Sequence, residues 1–357
     1  MPEIKRIDLR ALRVPITVPY KSALGTLHHL DALFAQVWLS DGSQGFGEAV
    51  VVNGYTKENH SDSWNFLCTC APQLTGQDHE RALAALNASV HDYAHAVTCL
   101  ASAVEMAAGC DALAPVSEER TIGLIAPLYS ESIPALHAEM DTLIEQGYRA
   151  LKMKVGMEVG SDLQRVRAAQ DWLQERAVLR LDANQGYSLA DALRFASGLD
   201  PTGVELFEQP CAMSDWDAAV SVRARLGVPM MLDESITDIC SIDRTAHLGA
   251  ANLIKLKLVK TGGVKHLARS VGHARGLGLG VVLGNGVATE IGNWMEACVS
   301  AGRVDLAGEM NGFMKADRRL FQNPLEVRAG SLHIPPDYWP VLDQSALDSC
   351  TLASSQH

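Results

Sequence analysis

Lysines and carboxylates recur at the ends of successive short apolar segments of the chain. The residues are Lys152, Lys154, Asp182, Glu208, Asp233 and Lys257. From Lys154 onward they follow one another about every 25 residues, which is the length of one strand–helix unit. When such units close into a barrel, the carboxyl ends of the strands meet at one mouth, where catalytic groups stand. The spacing therefore predicts one site that combines carboxylates with amines.

The three acidic members of this set suggest a metal ion. Asp182, Glu208 and Asp233 would point three negative charges toward a common axis, and without a counterion they would raise one another's pKa. An all-oxygen set suits a hard cation such as Mg²⁺, with positions left open for water or substrate. We therefore expect one Mg²⁺ per active site, with Mn²⁺ able to substitute.

The lysines suggest proton transfer next to a carboxylate. Lys152 and Lys154 lie two apart on a predicted strand, so both side chains point the same way, across the axis from Lys257. Two ammonium groups about 7 Å apart at an effective dielectric constant near 20 repel by about 2 kcal/mol, so one lysine could act as a base near neutral pH. For any one residue of the set, a solvated rim position or half of an ion pair is the alternative.

The elements that must position these residues form a repeat. Short apolar segments alternate with amphipathic helices, and eight such segments at this period fit a closed (β/α) barrel better than an open sheet. The predicted strands are 121–125, 149–155, 178–182, 204–208, 229–233, 253–257, 279–284 and 303–307. We expect the barrel to occupy residues 121–319.

An N-terminal α+β module precedes the repeat. Residues 3–13 and 31–50 predict three strands, with a hairpin turn at Asp41-Gly42, and helical patterns run from about 57 to 110. We place this module at residues 1–120 and expect the C-terminal segment 320–357 to pack back on it.

Composition narrows the possible partners and location. The 357 residues carry a formal net charge of −12, which repels nucleic acid and anionic lipid, so an anionic substrate needs a local cluster of cations. The start of the chain has no apolar stretch typical of a signal peptide, which predicts a cytoplasmic protein. The apolar stretch Ala94–Cys110 contains His95 and Glu105, which predicts a buried helix and no membrane span. Eight scattered cysteines indicate reduced thiols.

Several motifs resemble the enolase superfamily, specifically its muconate-lactonizing-enzyme subgroup. They are Ala150–Gly156, Leu181–Gly186, Phe207–Pro210, Asp233–Ser235 and Lys257–Gly263, in the family's order and spacing. The resemblance implies a modified (β/α)7β TIM-type barrel of the α/β class with an N-terminal α+β capping domain. It also implies that Asp182, Glu208 and Asp233 bind Mg²⁺, that Lys154 and Lys257 are the acid/base pair, and that Lys152 supports Lys154 and the substrate carboxylate.

The same resemblance suggests where substrate binds. Pro19–Gly25 is similar to the capping loop that closes over the family's active site, and Tyr55 would lie in the second such loop. Lys255 stands where relatives often carry Asn, as a third cation for a second substrate carboxylate or as half of an ion pair. The expected substrate-binding residues are Tyr20, Lys21, Leu24, Tyr55, Lys255, Asn285, Gly286, Asp305 and Ala307.

The predicted reaction begins with removal of the proton α to a carboxylate. Bases on both faces of the carbon favour a racemase or epimerase of an N-substituted or cyclic amino acid derivative. A muconate-type cycloisomerase, a dehydratase of a β-hydroxy carboxylate and a non-catalytic metal-binding protein are the alternatives. Dipeptides are less favoured, because Asp305-Leu306-Ala307 lacks the second carboxylate of the dipeptide epimerases. The superfamily also leads us to expect a homo-oligomer.

Overall fold

The N-terminal part of the chain forms an antiparallel sheet covered by helices. The computed structural model describes residues 1–22, 25–54 and 56–357. The sheet has the order β14-β1-β2-β3, so the end of the chain pairs with its beginning. Its strands are β1 (Ile4–Ser22), β2 (Gly25–Leu39), β3 (Gln44–Val50) and β14 (Thr351–Gln356), and its helices are α1 (His60–Leu74), α2 (His79–Asn87) and α3 (Ala94–Ala107). The predicted hairpin turn is confirmed at Gly42, whose φ of 89° suits glycine.

Helix α3 packs directly on β3 because two glycines of that strand have no side chain. A Cβ atom at Gly45 would lie 2.3 Å from the Ala103 carbonyl oxygen, and one at Gly47 would lie 2.2 Å from the Cys99 carbonyl oxygen. Every residue from His95 to Ala107 is buried. The predicted buried helix is confirmed, and among the described residues no helix is long and apolar enough to cross a membrane.

The centre of the chain forms a parallel sheet whose strands alternate with helices. The strand order is β11-β10-β9-β8-β7-β6-β5, the sequential order of a barrel wall. The strands are β5 (Ile125–Leu128), β6 (Ala150–Lys154), β7 (Val178–Asp182), β8 (Val204–Glu208), β9 (Met230–Leu232), β10 (Leu253–Leu256) and β11 (Gly280–Leu283). The outer helices are α4 (Ile133–Glu145), α5 (Val159–Leu173), α6 (Leu189–Gly198), α7 (Trp216–Arg225), α8 (Ile239–Leu248), α9 (Val264–Gly276) and α10 (Glu290–Ser300).

A short segment at residues 308–309 closes the barrel. The Glu309 N–H donates to the Leu283 carbonyl at 3.0 Å, which joins the segment to β11. On its other side, the Gly308 N–H donates to the Gly123 carbonyl at 2.8 Å, and the Ile125 N–H donates to the Gly308 carbonyl at 2.9 Å. These bonds place the segment between the last and first strands, which gives the predicted (β/α)7β arrangement.

Two predicted barrel strands were misplaced. Residues 121–125 fall mainly in β4 (Arg120–Gly123), which pairs antiparallel with β13 (Ser331–Ile334), itself paired with β12 (Glu326–Arg328). Residues 303–307 form no strand, because the Arg303 and Val304 N–H groups both donate to the Ser300 carbonyl and continue the turn that ends α10. The closing segment therefore lies later in the chain than predicted.

Glu290 at the start of α10 fixes the segment that leads out of the barrel. Its Oε2 accepts from the Leu320 and Phe321 N–H groups at 3.0 and 3.2 Å, and its Oε1 accepts from the Leu325 N–H at 2.8 Å. Beyond this anchor lies α11 (Gln344–Cys350), which leads into β14. The boundaries 1–120, 121–319 and 320–357 stay predictions.

Glu48 of β3 joins the capping sheet to the barrel from a buried position. Its Oε1 accepts from the Thr289 and Gly292 N–H groups, each at 3.0 Å, while its Oε2 has no partner among the described residues. Burial raises the pKa of Glu48 to about 7 from an ordinary 4.5. The folded protein therefore holds a proton here that the unfolded chain releases.

This proton predicts a stability loss as pH rises. A carboxyl whose pKa is raised on folding contributes stability below pH 4.5 that is lost as pH rises through 7, by about 3 kcal/mol for such a shift. We expect Glu48→Gln to remove this contribution to the slope, because an amide can still accept at Oε1. Urea unfolding at pH 5 and pH 7.5 measures it. An unchanged slope in the variant would contradict the assignment.

The matched control is Glu296 of α10, whose pKa burial also raises to about 7. Its Oε1 accepts from the Leu258 N–H, and its Oε2 accepts from the Asn285 N–H and the Asn293 side chain. Because both oxygens accept, Glu296→Gln would direct an NH₂ group at a donor. We expect this variant to be destabilised at both pH values.

Candidate active site at the barrel mouth

Three predicted carboxylates stand side by side on adjacent strands. Asp182 and Glu208 are register partners at the ends of β7 and β8, and Asp233 directly follows β9. All three are buried. Burial, followed by the neighbouring charge of Asp182, raises the pKa of Glu208. The carboxylates therefore repel one another and require cations between them.

Lys152 supplies one of these cations. Its Nζ lies 2.8 Å from Asp182 Oδ2, 3.0 Å from Glu208 Oε2 and 3.3 Å from Glu309 Oε2. Burial lowers the pKa of Lys152, but the three carboxylates outweigh burial and hold that pKa well above its usual value. Lys152 is therefore held as an ammonium group among these carboxylates.

Lys154 and Lys257 stand on opposite walls of the barrel. Lys154 Nζ lies 2.5 Å from Asp182 Oδ2 and also contacts the Asn184 side chain, whereas Lys257 Nζ lies 2.7 Å from Asp233 Oδ2. Three strands separate β6 from β10 in one direction. In the other direction lie β11, the closing segment and β5. The two amines therefore face each other across the mouth.

Lys255 and Glu309 form a buried ion pair beneath these groups. Lys255 Nζ contacts Glu309 Oε2, lies 3.2 Å from Glu208 Oε1 and 3.8 Å from Asp233 Oδ2. The structure thus shows the ion-pair alternative for Lys255. Glu309 was missed in the sequence because the eighth strand was placed too early. Its position after a Gly in the segment following α10 is the signal that was available.

The loops behind the carboxylates hold them in place. The Gln209 side-chain oxygen accepts from the Asp233 N–H at 2.9 Å and from the Ser235 N–H at 3.2 Å. Asn184 donates from its side chain to Glu234 Oε1 at 3.0 Å, and its own N–H donates to Asp182 Oδ1 at 2.9 Å. These bonds explain why the motif residues around each ligand candidate are polar.

The other predicted residues are only partly brought together at the mouth. Tyr20 lies near the lysine cluster, and burial raises its pKa. The Gly286 carbonyl accepts from Lys315, whereas Asn285 turns its side chain to the Val287 N–H of its own loop. The Lys21 side chain and residues Leu24 and Tyr55 lie outside the described part of the chain.

Asp305 and Ala307 do not join the cluster. Asp305 is exposed, and the Ala307 carbonyl accepts from Arg180 at 2.6 Å. Because Arg180 precedes Asp182 by two residues on β7, this contact lies on the amino-terminal side of the carboxylates. In contrast, Tyr129 just after β5 was missed. It is 56% exposed, and partial burial of its phenol, followed by the nearby Tyr20 and Glu309, raises its pKa.

The carboxylates at the barrel mouth offer oxygen ligands for a metal ion. Among the described residues no group of three or more His, Cys, Asp or Glu side chains is arranged to hold one. Asp182 and Glu208 nevertheless converge on one cation, the Lys152 ammonium group, within 3.0 Å. Carboxylate oxygens are the ligands that Mg²⁺ prefers. The chemistry of Asp182, Glu208 and Asp233 therefore fits a hard divalent cation.

Comparison with known proteins identifies the class. Residues 135–338, more than half of the chain, match the family described as enolase C-terminal domain-like, and the chain belongs to this family. It is 25% identical over 302 residues to N-succinyl-L-Arg/Lys racemase of Bacillus cereus, covering 81% of each chain. It is 27% identical over 350 residues to muconate cycloisomerase 1 of Pseudomonas putida, covering 93% of each. With such relatives, the protein is an enolase-superfamily isomerase.

Solved structures agree with this fold. Muconate lactonizing enzyme from Pseudomonas fluorescens, complexed with muconolactone, superposes with a TM-score of 0.88 at 26% identity, covering 98% of this chain and 99% of that one. N-succinyl Arg/Lys racemase from Bacillus cereus gives a TM-score of 0.90 at 21% identity, covering 99% and 100%. The predicted barrel with its α+β capping domain is thereby confirmed.

Proposed function

We propose that the protein is a Mg²⁺-dependent racemase or epimerase of an N-substituted or cyclic amino acid derivative. The observation that carries the proposal is the pair of lysines facing each other across the barrel, Lys154 on β6 and Lys257 after β10. An α-carbon held between them has an amine on each face. Moving a proton from one face to the other inverts the configuration.

Each of the three lysines has its own role in the proposed proton transfer. In one direction of the racemisation, Lys154 starts as the neutral amine and removes the α-proton. The electron pair of the C–H bond moves into the substrate carboxylate group. Lys257, entering as the ammonium, then donates a proton to the opposite face of the same carbon. The Lys152 ammonium group, fixed by carboxylates, attracts the negative charge that develops. In the reverse direction the two outer lysines exchange roles.

The carboxylates Asp182, Glu208 and Asp233 would hold the Mg²⁺. When bound, the cation would act as a Lewis acid that stabilises negative charge on the substrate carboxylate. Mn²⁺ offers similar oxygen affinity and is expected to substitute.

Muconate-type cycloisomerisation is the second candidate. The muconate cycloisomerase relative matches over 93% of both chains, the same share as N-succinylamino acid racemase of Amycolatopsis sp. In such a reaction one lysine would protonate a carbon while the opposite lysine remained a spectator. The same residues serve both reactions, so the overall fold does not separate them.

Proton NMR in D₂O tests the proposal. The Mg²⁺-loaded enzyme is incubated with pooled N-acyl amino acids, proline derivatives and muconate-type acids. We expect loss of an α-proton signal, with deuterium in both stereoisomers. New vinyl or lactone signals would instead support the cycloisomerase, and absence of any change across the pool would overturn the substrate class.

A small carboxylate substrate, a cytoplasmic location and a homo-oligomeric state complete the proposal. The cluster of lysines in an acidic protein supports the first, because it supplies the local positive charge that an anion needs. Light scattering after size exclusion measures the number of subunits.

A further inference from the structure

Lys315 lies where the barrel mouth meets the capping sheet. It ends a short 3₁₀ helix, Gly312–Lys315, just after the closing segment. Its Nζ donates to the Gly286 carbonyl at 2.9 Å and contacts the Asn311 side-chain oxygen at 3.4 Å. The same Nζ lies 5.0 Å from the ring centroid of Tyr20 on β1. Lys315 therefore touches the far end of the capping strand as well as the loop after β11.

The partners of Lys315 are all neutral. Within residues 1–22, 25–54 and 56–357, no carboxylate lies within ion-pairing distance of its ammonium group, whereas Lys152, Lys154 and Lys255 each have at least one. Burial lowers the pKa of Lys315 to about 8. Lys315 is half-buried, and a cation partly withdrawn from water gains by pairing with an anion, which the described residues do not supply at this position.

Glu309 is the carboxylate near Lys315, and its charge is already compensated by two other lysines. Glu309, whose charge acts favourably on Lys315 from a distance, directs Oε2 to Lys152 and Lys255. Between them stands Gly286, where a Cβ atom would lie 3.2 Å from Glu309 Oε1 and 3.4 Å from Asn311 Oδ1. Glycine at position 286 therefore lets Glu309 and Asn311 approach this loop closely beside Lys315.

We propose that Lys315 is a specificity-determining residue that binds a second carboxylate of the substrate, remote from the reacting carbon and beside Tyr20 of β1. This inference rests on the proposed function and assigns the substrate to the dicarboxylates, such as amino acids whose N-acyl group ends in a carboxylate. The first carboxylate belongs to Lys152 and the metal ligands. Lys315 holds the second one by a charge-assisted hydrogen bond.

A matched pair of substrates tests the assignment. N-succinyl and N-butanoyl amino acids have acyl groups of equal chain length and differ in the terminal carboxylate. We expect Lys315→Met to lower kcat/KM for the N-succinyl compound on the order of 100-fold and to leave the N-butanoyl compound almost unchanged. Lys315→Arg should retain most of the N-succinyl activity. An equal loss for both compounds would show a structural role and overturn the proposal.

A binding experiment separates this inference from the reaction itself. Calorimetric titration of the Mg²⁺-loaded protein with pimelate, whose carboxylates are separated by five atoms as in an N-succinyl amino acid, and with hexanoate should show tighter binding of pimelate, by about tenfold or more. The preference should vanish in Lys315→Met and persist in Lys5→Met, whose side chain is 59% exposed at the start of β1. A preference that survives Lys315→Met, or one absent from the native protein, would overturn the proposal. Failure of α-proton exchange would overturn the reaction alone.

Discussion

Replacing Lys257 with alanine should abolish racemisation while leaving one enantiomer able to exchange its α-proton with solvent. Lys154, on the opposite wall, still reaches the face that it serves, so deuterium enters from that side with retention of configuration. Lys154→Ala should show the mirror-image result. Because a positioned general base or acid contributes on the order of 10²- to 10⁴-fold, we expect racemisation to fall by about 10³-fold in either variant.

Chiral chromatography combined with NMR in D₂O distinguishes the two enantiomers. The control is Lys265→Ala, an exposed lysine of α9 that lies outside the cluster and should behave as the native protein. Loss of exchange for both enantiomers in each variant would mean that the lysines act on one face, which is inconsistent with a racemase. Unchanged racemisation in Lys257→Ala would exclude this residue from the reaction.

The barrel could be predicted because each strand–helix unit has a recognisable pattern of apolar and ionisable residues. A buried parallel strand reads as an apolar run, and an ionisable residue at its end marks the mouth. For this reason β7 and β8 were predicted with the bounds found, 178–182 and 204–208. The neighbouring positions of Asp182, Glu208 and Asp233 follow from the strand order alone.

The barrel closure was predicted less well because its pattern is weak. The first strand was placed over residues that pair with the C-terminal hairpin, a contact between segments about 200 residues apart in the chain. The eighth was placed on Arg303–Ala307, whose alternation of polar and apolar residues imitates a strand. Closure instead depends on two residues, Gly308 and Glu309. Such a short segment has no periodicity to detect.

The sequence predicted lysines at the barrel mouth, but it did not predict how strongly the neighbouring carboxylates compensate their charges. Mutual repulsion of Lys152 and Lys154 suggested a lowered pKa for one of them, but carboxylates raise the pKa of Lys152. Glu309 was absent from the prediction, and with it the reason for a lysine at position 255. No sequence motif marks Lys315. Its lack of a carboxylate partner among the described residues is visible only in the three-dimensional structure.

We expect Lys255→Met to lower the thermal stability of the protein strongly, by an amount that depends on whether Mg²⁺ is present. The buried charges around Lys255 are the reason. In the described residues, ion pairs join the lysines of the barrel mouth to four carboxylates, Asp182, Glu208, Asp233 and Glu309. These lysines are Lys152, Lys154, Lys255, Lys257 and Lys260. Lys255 touches the last three of these from a fully buried position. Removing one partner of a buried ion pair costs about 3–5 kcal/mol, because the remaining charge is left without compensation. In EDTA the variant should therefore unfold at a markedly lower temperature than the native protein.

Magnesium should restore much of this loss. The variant cluster carries one positive charge fewer beside Glu208 and Asp233, so a divalent cation gains more by binding there, and binding to the folded state alone raises stability. We expect Mg²⁺ to raise the melting temperature of Lys255→Met by more than that of the native protein, and calorimetry to show tighter Mg²⁺ binding. Lys265→Met is the control for loss of an exposed lysine. An equal Mg²⁺ effect in both proteins would mean that Lys255 does not act on Glu208 and Asp233, two of the carboxylates that we propose to bind Mg²⁺, and would leave its contact with Glu309.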